Sequence, residues 1–153
     1  MSTIDARLAE LGISLPSVSA PAGAYLPAMI SGNLVFTAGQ LPFIDGALPA
    51  TGKVGAGVSA QDAAGYARQC AINALAAVES VIGSLDRVTR IVKVVGFVAS
   101  DPSFTGQPGV INGASNVLGE IFGEAGQHAR SAVGVAVLPL DSPVEVELIV
   151  EFA

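Results

Sequence analysis

The chain has 153 residues, 51% of them apolar and 13% charged, a length for one domain and a composition too hydrophobic for intrinsic disorder. A single cysteine, Cys70, and a single histidine, His128, exclude a disulfide framework and the zinc sites that need several such ligands. Seven basic residues against thirteen acidic ones give a formal charge of −6, and the cations are scattered, which argues against a nucleic-acid partner held through phosphates.

In chain order, Ser2 with Asp5 reads as a capping box, with Ile4, Leu8 and Leu11 on one helical face before Gly12. A Pro/Ser/Ala connector, Leu15–Ala22, leads to an extended stretch at Tyr25–Ile30. The turn signal Ser31-Gly32-Asn33 then introduces a strand at Leu34–Ala38. Asp45-Gly46 marks another turn, with room for a further strand before the Gly-rich loop Gly52–Gly57. Ser59 to Asp62 is a second capping box, opening a long helix whose narrow alanine-rich face (Ala63, Ala67, Cys70, Ala71, Ala74) suits close packing on a sheet and which Gly83 stops. Val88–Ala99 is a β-branched strand ended by Asp101-Pro102. A helix follows between Pro108 and Gly123, with three internal glycines blurring its extent. Ser131–Leu138 and Val144–Phe152 are the last strands, the second alternating apolar and acidic residues. The expected fold is α+β: a mixed or antiparallel sheet with two helices on one face and a short leading helix. Residues 1–153 are read as one domain, with 1–19 as a helical extension and connector.

The uncharged run Leu11–Ile44 is broken by Pro16, Pro21, Pro27 and Pro42, so no membrane span is expected. The N-terminus has no basic segment ahead of an apolar block, so no signal peptide is expected either. The reading is a cytoplasmic protein. Twenty charges spread over a surface of about 7,000 Å² leave roughly one per 350 Å². A surface so poor in charge points to burial against other copies of the chain.

Signatures of common chemistry are scarce. Gly52-Lys53 lacks the spacing of a phosphate-binding loop, and no nucleophile elbow occurs. Cys70, on the apolar helix face, reads as a small buried hydrophobe. His128 reads as a surface or hinge residue. Arg130 is the one cation of the last 60 residues, placed where a loop enters a strand. It is either a rim salt bridge to an acid of that tail or a fork for a carboxylate or phosphate.

Arg130–Pro139 (RSAVGVAVLP) followed by Val144–Glu147 (VEVE) resembles the C-terminal signature of the RidA (YjgF/YER057c/UK114) family. Thr37–Pro42 (TAGQLP) resembles its second-strand motif. Tyr25 and Asn112 fall where that family places site residues. The resemblance, over roughly residues 20–153, implies a chorismate-mutase-like fold, a homotrimer and a ligand cleft between subunits. It also implies a cofactor-free and metal-free hydrolysis of enamines and imines such as 2-aminoacrylate to 2-oxo acids and ammonia. In that scheme Arg130 holds the substrate carboxylate and Glu145 positions or deprotonates the attacking water. Tyr25, Asn112 and the backbone near Gly39 and Ala132 contact the substrate. Ala38 and Ala132 stand where the family often has a hydroxyl residue and a cysteine. The same cleft would also serve a non-enzymatic binding module for a 2-oxo acid or similar carboxylate. If the last two strands form a hairpin, residue 145 lies opposite 136, about 20 Å of strand from 130 at ~3.3 Å per residue. Arg130 and Glu145 could then share a site only between subunits.

Overall fold

A computed structural model describes residues 2–18 and 23–153. Helix α1 (Thr3–Glu10) starts where Ser2 Oγ accepts the Asp5 N–H at 3.0 Å, as the capping box predicts. It is tied down at both ends. The Asp86 carboxylate accepts from the Ile4 N–H at 2.8 Å, and Arg7 Nε donates to the Glu120 carbonyl at 2.8 Å. The connector read over Leu15–Ala22 is described only to Val18; Ser19–Ala22 lie outside the described residues.

Five strands form one mixed sheet: β1 (Ala28–Ser31), β2 (Leu34–Thr37), β3 (Val88–Ala99), β4 (Ala129–Val135) and β5 (Val144–Phe152). Their spatial order is β1-β2-β5-β3-β4, with only the β3–β4 pair parallel. The additional strand allowed for after Asp45-Gly46 is absent. That segment makes only isolated bridges, such as Ala47 with Ile44 and Val54 with Ser100.

Helices α2 (Ala60–Ile82) and α3 (Gln107–Phe122) pack on one face of the sheet, as the sequence predicts. Ser59 Oγ accepts the Asp62 N–H at 3.0 Å, and Gly83, at φ +87°, ends α2 in a conformation that L side chains avoid. Ala63, Ala67, Cys70, Ala71 and Ala74 are fully buried against the sheet. Burial pushes the Cys70 thiol well above its usual range, and the field of Glu145 adds to this. Cys70 in the native protein is therefore expected to resist a disulfide reagent and to titrate as one thiol per chain only in urea. Reaction in native buffer at the speed of a free thiol would mean that the helix–sheet seam opens.

One expectation is corrected. The last two strands do not form a hairpin, because β3 lies between them: Phe97 pairs with Glu145 on one side and with Val133 on the other. β3, α3 and β4 form a β-α-β unit, whose helical crossover returns its second strand parallel to the first. The five residues Pro139–Pro143 then hop one strand, about 10 Å, as readily as they would close a turn. Leu140 and Asp141 make that hop in the left-handed region, at φ 59° and 57°. The Gly52 N–H donates to the Asp141 carbonyl at 2.9 Å, and Lys53 pairs with the Asp141 carboxylate. Among the described residues no helix is long and apolar enough to cross a membrane.

Candidate active site

Arg130 stands in register with Val94 of β3, on the face covered by the helices. Its partly buried guanidinium reaches up to α3 rather than to an acid. Nη1 donates to Asn112 Oδ1 at 2.8 Å and to Ser115 Oγ at 3.2 Å, and Nη2 donates to the Pro108 carbonyl at 3.3 Å. Pro108, Asn112 and Ser115 are four and three residues apart, the spacing of one helix face. Among the described residues the ion pairs are Arg7–Glu10 and Lys53–Asp141, so the rim salt bridge considered for Arg130 does not form. Three neutral acceptors hold the cation without neutralising it. Of the five N–H donors of a guanidinium, two remain for a ligand.

α3 can sit this low because two glycines permit it. A Cβ on Gly96 of β3 would lie 2.5 Å from Ile111 Cδ1, and one on Gly113 would lie 1.9 Å from the Ala64 carbonyl oxygen of α2. The close approach brings Asn112 and Ser115 over the edge strand β4.

Glu145 lies elsewhere. On β5, Val144, Val146, Leu148 and Val150 face the helices and are buried, so Glu145 and Glu147 project from the opposite face. The Arg130 and Glu145 positions are two strands and three residues apart, roughly 14 Å in the sheet plane, and on different faces. One chain does not bring them together. Gly39 does meet Glu145, since a Cβ there would fall 2.5 Å from Glu145 Oε2. Tyr25 is exposed just ahead of β1, where the Pro27 carbonyl accepts from the Ala38 N–H at 2.8 Å. Ala132 lies in register with Gly96, two residues along from Arg130 on the same face. The candidate residues thus fall into two groups, Arg130, Asn112 and Ala132 on one face and Gly39 with Glu145 on the other.

Burial, and then the Glu147 carboxylate, raise the Glu145 carboxyl above the ordinary glutamate range. An acid raised in the fold contributes stability below its unfolded value and loses it as pH climbs through the raised one. Glu145→Gln is accordingly expected to gain stability relative to wild type at pH 7 and to lose that gain near pH 4. Equal denaturation midpoints at both pH values would contradict the assignment.

The sequence reading missed two partners. Ser115 is the second side chain on Arg130, and the i, i+3 spacing from Asn112 was the available signal. His128, read as a surface or hinge residue, is partly buried, with Nε2 2.9 Å from Ser115 Oγ and Nδ1 2.6 Å from the Gly126 carbonyl oxygen.

A family model described as "YjgF/chorismate_mutase-like, putative endoribonuclease" matches residues 5–152. The chain belongs to the RidA/YjgF family. Protein TCP17 of Trypanosoma cruzi is 44% identical over 149 residues, which cover 97% of this chain and 93% of that protein. The crystal structure of Atu1372 from Agrobacterium tumefaciens, of unknown function, superposes with a TM-score of 0.91 at 46% identity, covering 98% of this chain and 93% of that one. Escherichia coli TdcF with bound serine superposes at 0.65 with 27% identity, covering 92% and 96%. This RidA/YjgF chain has the expected chorismate-mutase-like architecture, with α1 as a third, short helix.

Proposed function

We propose that the chain hydrolyses reactive enamines and imines that carry a carboxylate, of the 2-aminoacrylate kind, to 2-oxo acids and ammonia. The observation that carries this reading is the un-neutralised Arg130, partly buried, fixed by three neutral acceptors and keeping a fork of donors for a planar anion. TdcF was solved with serine bound, and serine has a carboxylate of the kind such a fork takes.

With the carboxylate clamped, an enamine gains a proton at its terminal carbon, or an imine one at nitrogen, and the resulting iminium carbon is presented to water. A C–O bond forms as the C=N π pair moves to nitrogen, and the oxonium gives its proton to a base. The amine takes a proton back and leaves as ammonia while the hydroxyl oxygen closes to C=O and gives its own proton to the same base. Glu145, with its affinity for protons raised, suits the role of base. Because it stands on the far face from Arg130, the complete site takes Glu145 from another copy of the chain. The face that carries Glu145 also exposes Met29, Phe36 and Val133, an apolar surface suited to burial against such copies. A homotrimer is the assembly in which this reading places the site.

A binding module for 2-oxo acids is the second reading, favoured by the separation of Arg130 from Glu145 within one chain. The ribonuclease term in the family description draws no support from a chain with six excess negative charges. The test generates 2-iminopropionate with an amino-acid oxidase and traps what survives with semicarbazide. The protein should lower the trapped signal. Equal trapping with and without it would reject turnover of that substrate, and a pyruvate titration would then show whether the carboxylate clamp alone remains.

A further inference from the structure

His128 and Ser115 have no part in the reaction as drawn, yet they form one continuous chain of hydrogen bonds with Arg130. The Gly126 carbonyl can only accept, so the 2.6 Å contact assigns the imidazole proton to Nδ1. In the neutral ring Nε2 is then an acceptor, and Ser115 donates its hydroxyl proton to it across 2.9 Å. The serine lone pairs that remain face Arg130 Nη1 at 3.2 Å. Every donor in the series therefore has one direction, from Arg130 through Ser115 and from His128 to Gly126. The anchor is packed closely on α3, since a Cβ on Gly126 would lie 2.4 Å from the Leu118 carbonyl oxygen. Charged residues on the surrounding elements are Glu120 on α3, Arg90 and Lys93 on β3, Glu124 in the turn before β4, and Arg130 itself. Among the described residues none of them hydrogen-bonds the ring.

We propose that Ser115 and His128 are positioning residues for the carboxylate clamp, orienting the Arg130 guanidinium so that its unused donors face a planar anion. Asn112 and the Pro108 carbonyl fix two points of the guanidinium plane. The oriented serine fixes the third, and His128 acts only through it. This inference rests on the carboxylate-binding reading above.

The single histidine makes the first test direct, because a nitrogen-15 spectrum of the imidazole contains one residue. At a pH where the ring is neutral, the Nδ1–H tautomer is expected; the Nε2–H tautomer would overturn the proposal. Pyruvate titration, followed by NMR, is the second test. Ser115→Ala and His128→Phe should each weaken binding about five- to tenfold, the scale of one lost hydrogen bond. The double variant should be no weaker than either single one, since both break the same series. Ser115→Thr, which keeps the hydroxyl, should bind as wild type does. In the imine assay Ser115→Ala, His128→Phe and the double variant should raise KM and leave kcat within about twofold, as expected when a positioned binding contact is lost. Additive losses, or Ser115→Ala binding as wild type does, would overturn the positioning role and leave the clamp intact. A wild type that binds no pyruvate would sink the clamp and this inference together. A wild type that binds pyruvate but consumes no imine would remove only the hydrolytic reading, with the binding cycle still deciding the role of Ser115 and His128.

Discussion

Arg130→Ala lowers imine consumption and pyruvate affinity by at least about a hundredfold, the expected loss when a charge-assisted bidentate pair is removed. The reason is local. Among the described residues no acid pairs with this cation, so its charge and its remaining donors are available to a ligand. Removing it takes the guanidinium donors from Asn112 Oδ1, the Pro108 carbonyl and Ser115 Oγ, which keeps its contact with His128, but this end of α3 reaches the surface and water replaces the guanidinium. The cost in stability is therefore about 1 kcal/mol, and the thermal melt should move by only a few degrees. Arg130→Lys separates charge from geometry. A lysine ammonium keeps the charge, loses the planar fork and cannot satisfy the same acceptors together, so it should recover only part of the loss. Wild-type rates in Arg130→Ala would end the clamp reading.

The second large effect falls on stability. Gly113→Ala should destabilise the protein by about 3 kcal/mol, because its methyl group meets the Ala64 carbonyl oxygen at 1.9 Å, and backbone can yield only by moving a helix. The better helix propensity of alanine, worth up to ~1 kcal/mol, offsets a minor part. Gly109 and Gly119 lie on the same helix, and a methyl group at either would have nothing within 4 Å. Replacing either by alanine should stabilise by about 0.5–1 kcal/mol. Urea midpoints of the three variants give the comparison. Gly113→Ala should also depress pyruvate binding, since lifting α3 from α2 carries Asn112 and Ser115 away from Arg130. A midpoint for Gly113→Ala equal to that of Gly109→Ala would show that the two helices do not approach so closely.

These three glycines show where sequence reading stops. Each lowers helix propensity by a similar amount, so together they only blurred the limits of α3. One of them is needed for contact with another helix and two are not, a difference set by which neighbour faces each position. The signals that did carry through are local ones. The capping hydroxyls of Ser2 and Ser59, the stop at Gly83 and the β-branched run Val88–Ala99 give their elements the bounds the structure shows. They succeed because each acts within a few residues along the chain.

Strand neighbours are not local. Val144–Phe152 is found where its alternation puts it, yet nothing in that alternation says that it pairs with β3 and β2 and not with β4. For the same reason the motif residues could be recognised one by one without revealing which of them meet. The chain order of Arg130 and Glu145 is compatible with one pocket or two. The strand order, with β3 between β4 and β5, and the odd offset in register place them on opposite faces.

Composition, caps, periodicity and the Arg130 motif thus determined the elements, the fold class and the residue most suited to hold an anion, because those properties are written in neighbouring side chains. Tertiary structure alone decided that Arg130 is held by Asn112, Ser115 and Pro108 instead of by an acid, and that His128 stands behind that arrangement. Those contacts join α3 to an edge strand that follows it, and the depth at which the helix lies, set by Gly96 and Gly113, brings them within hydrogen-bonding distance.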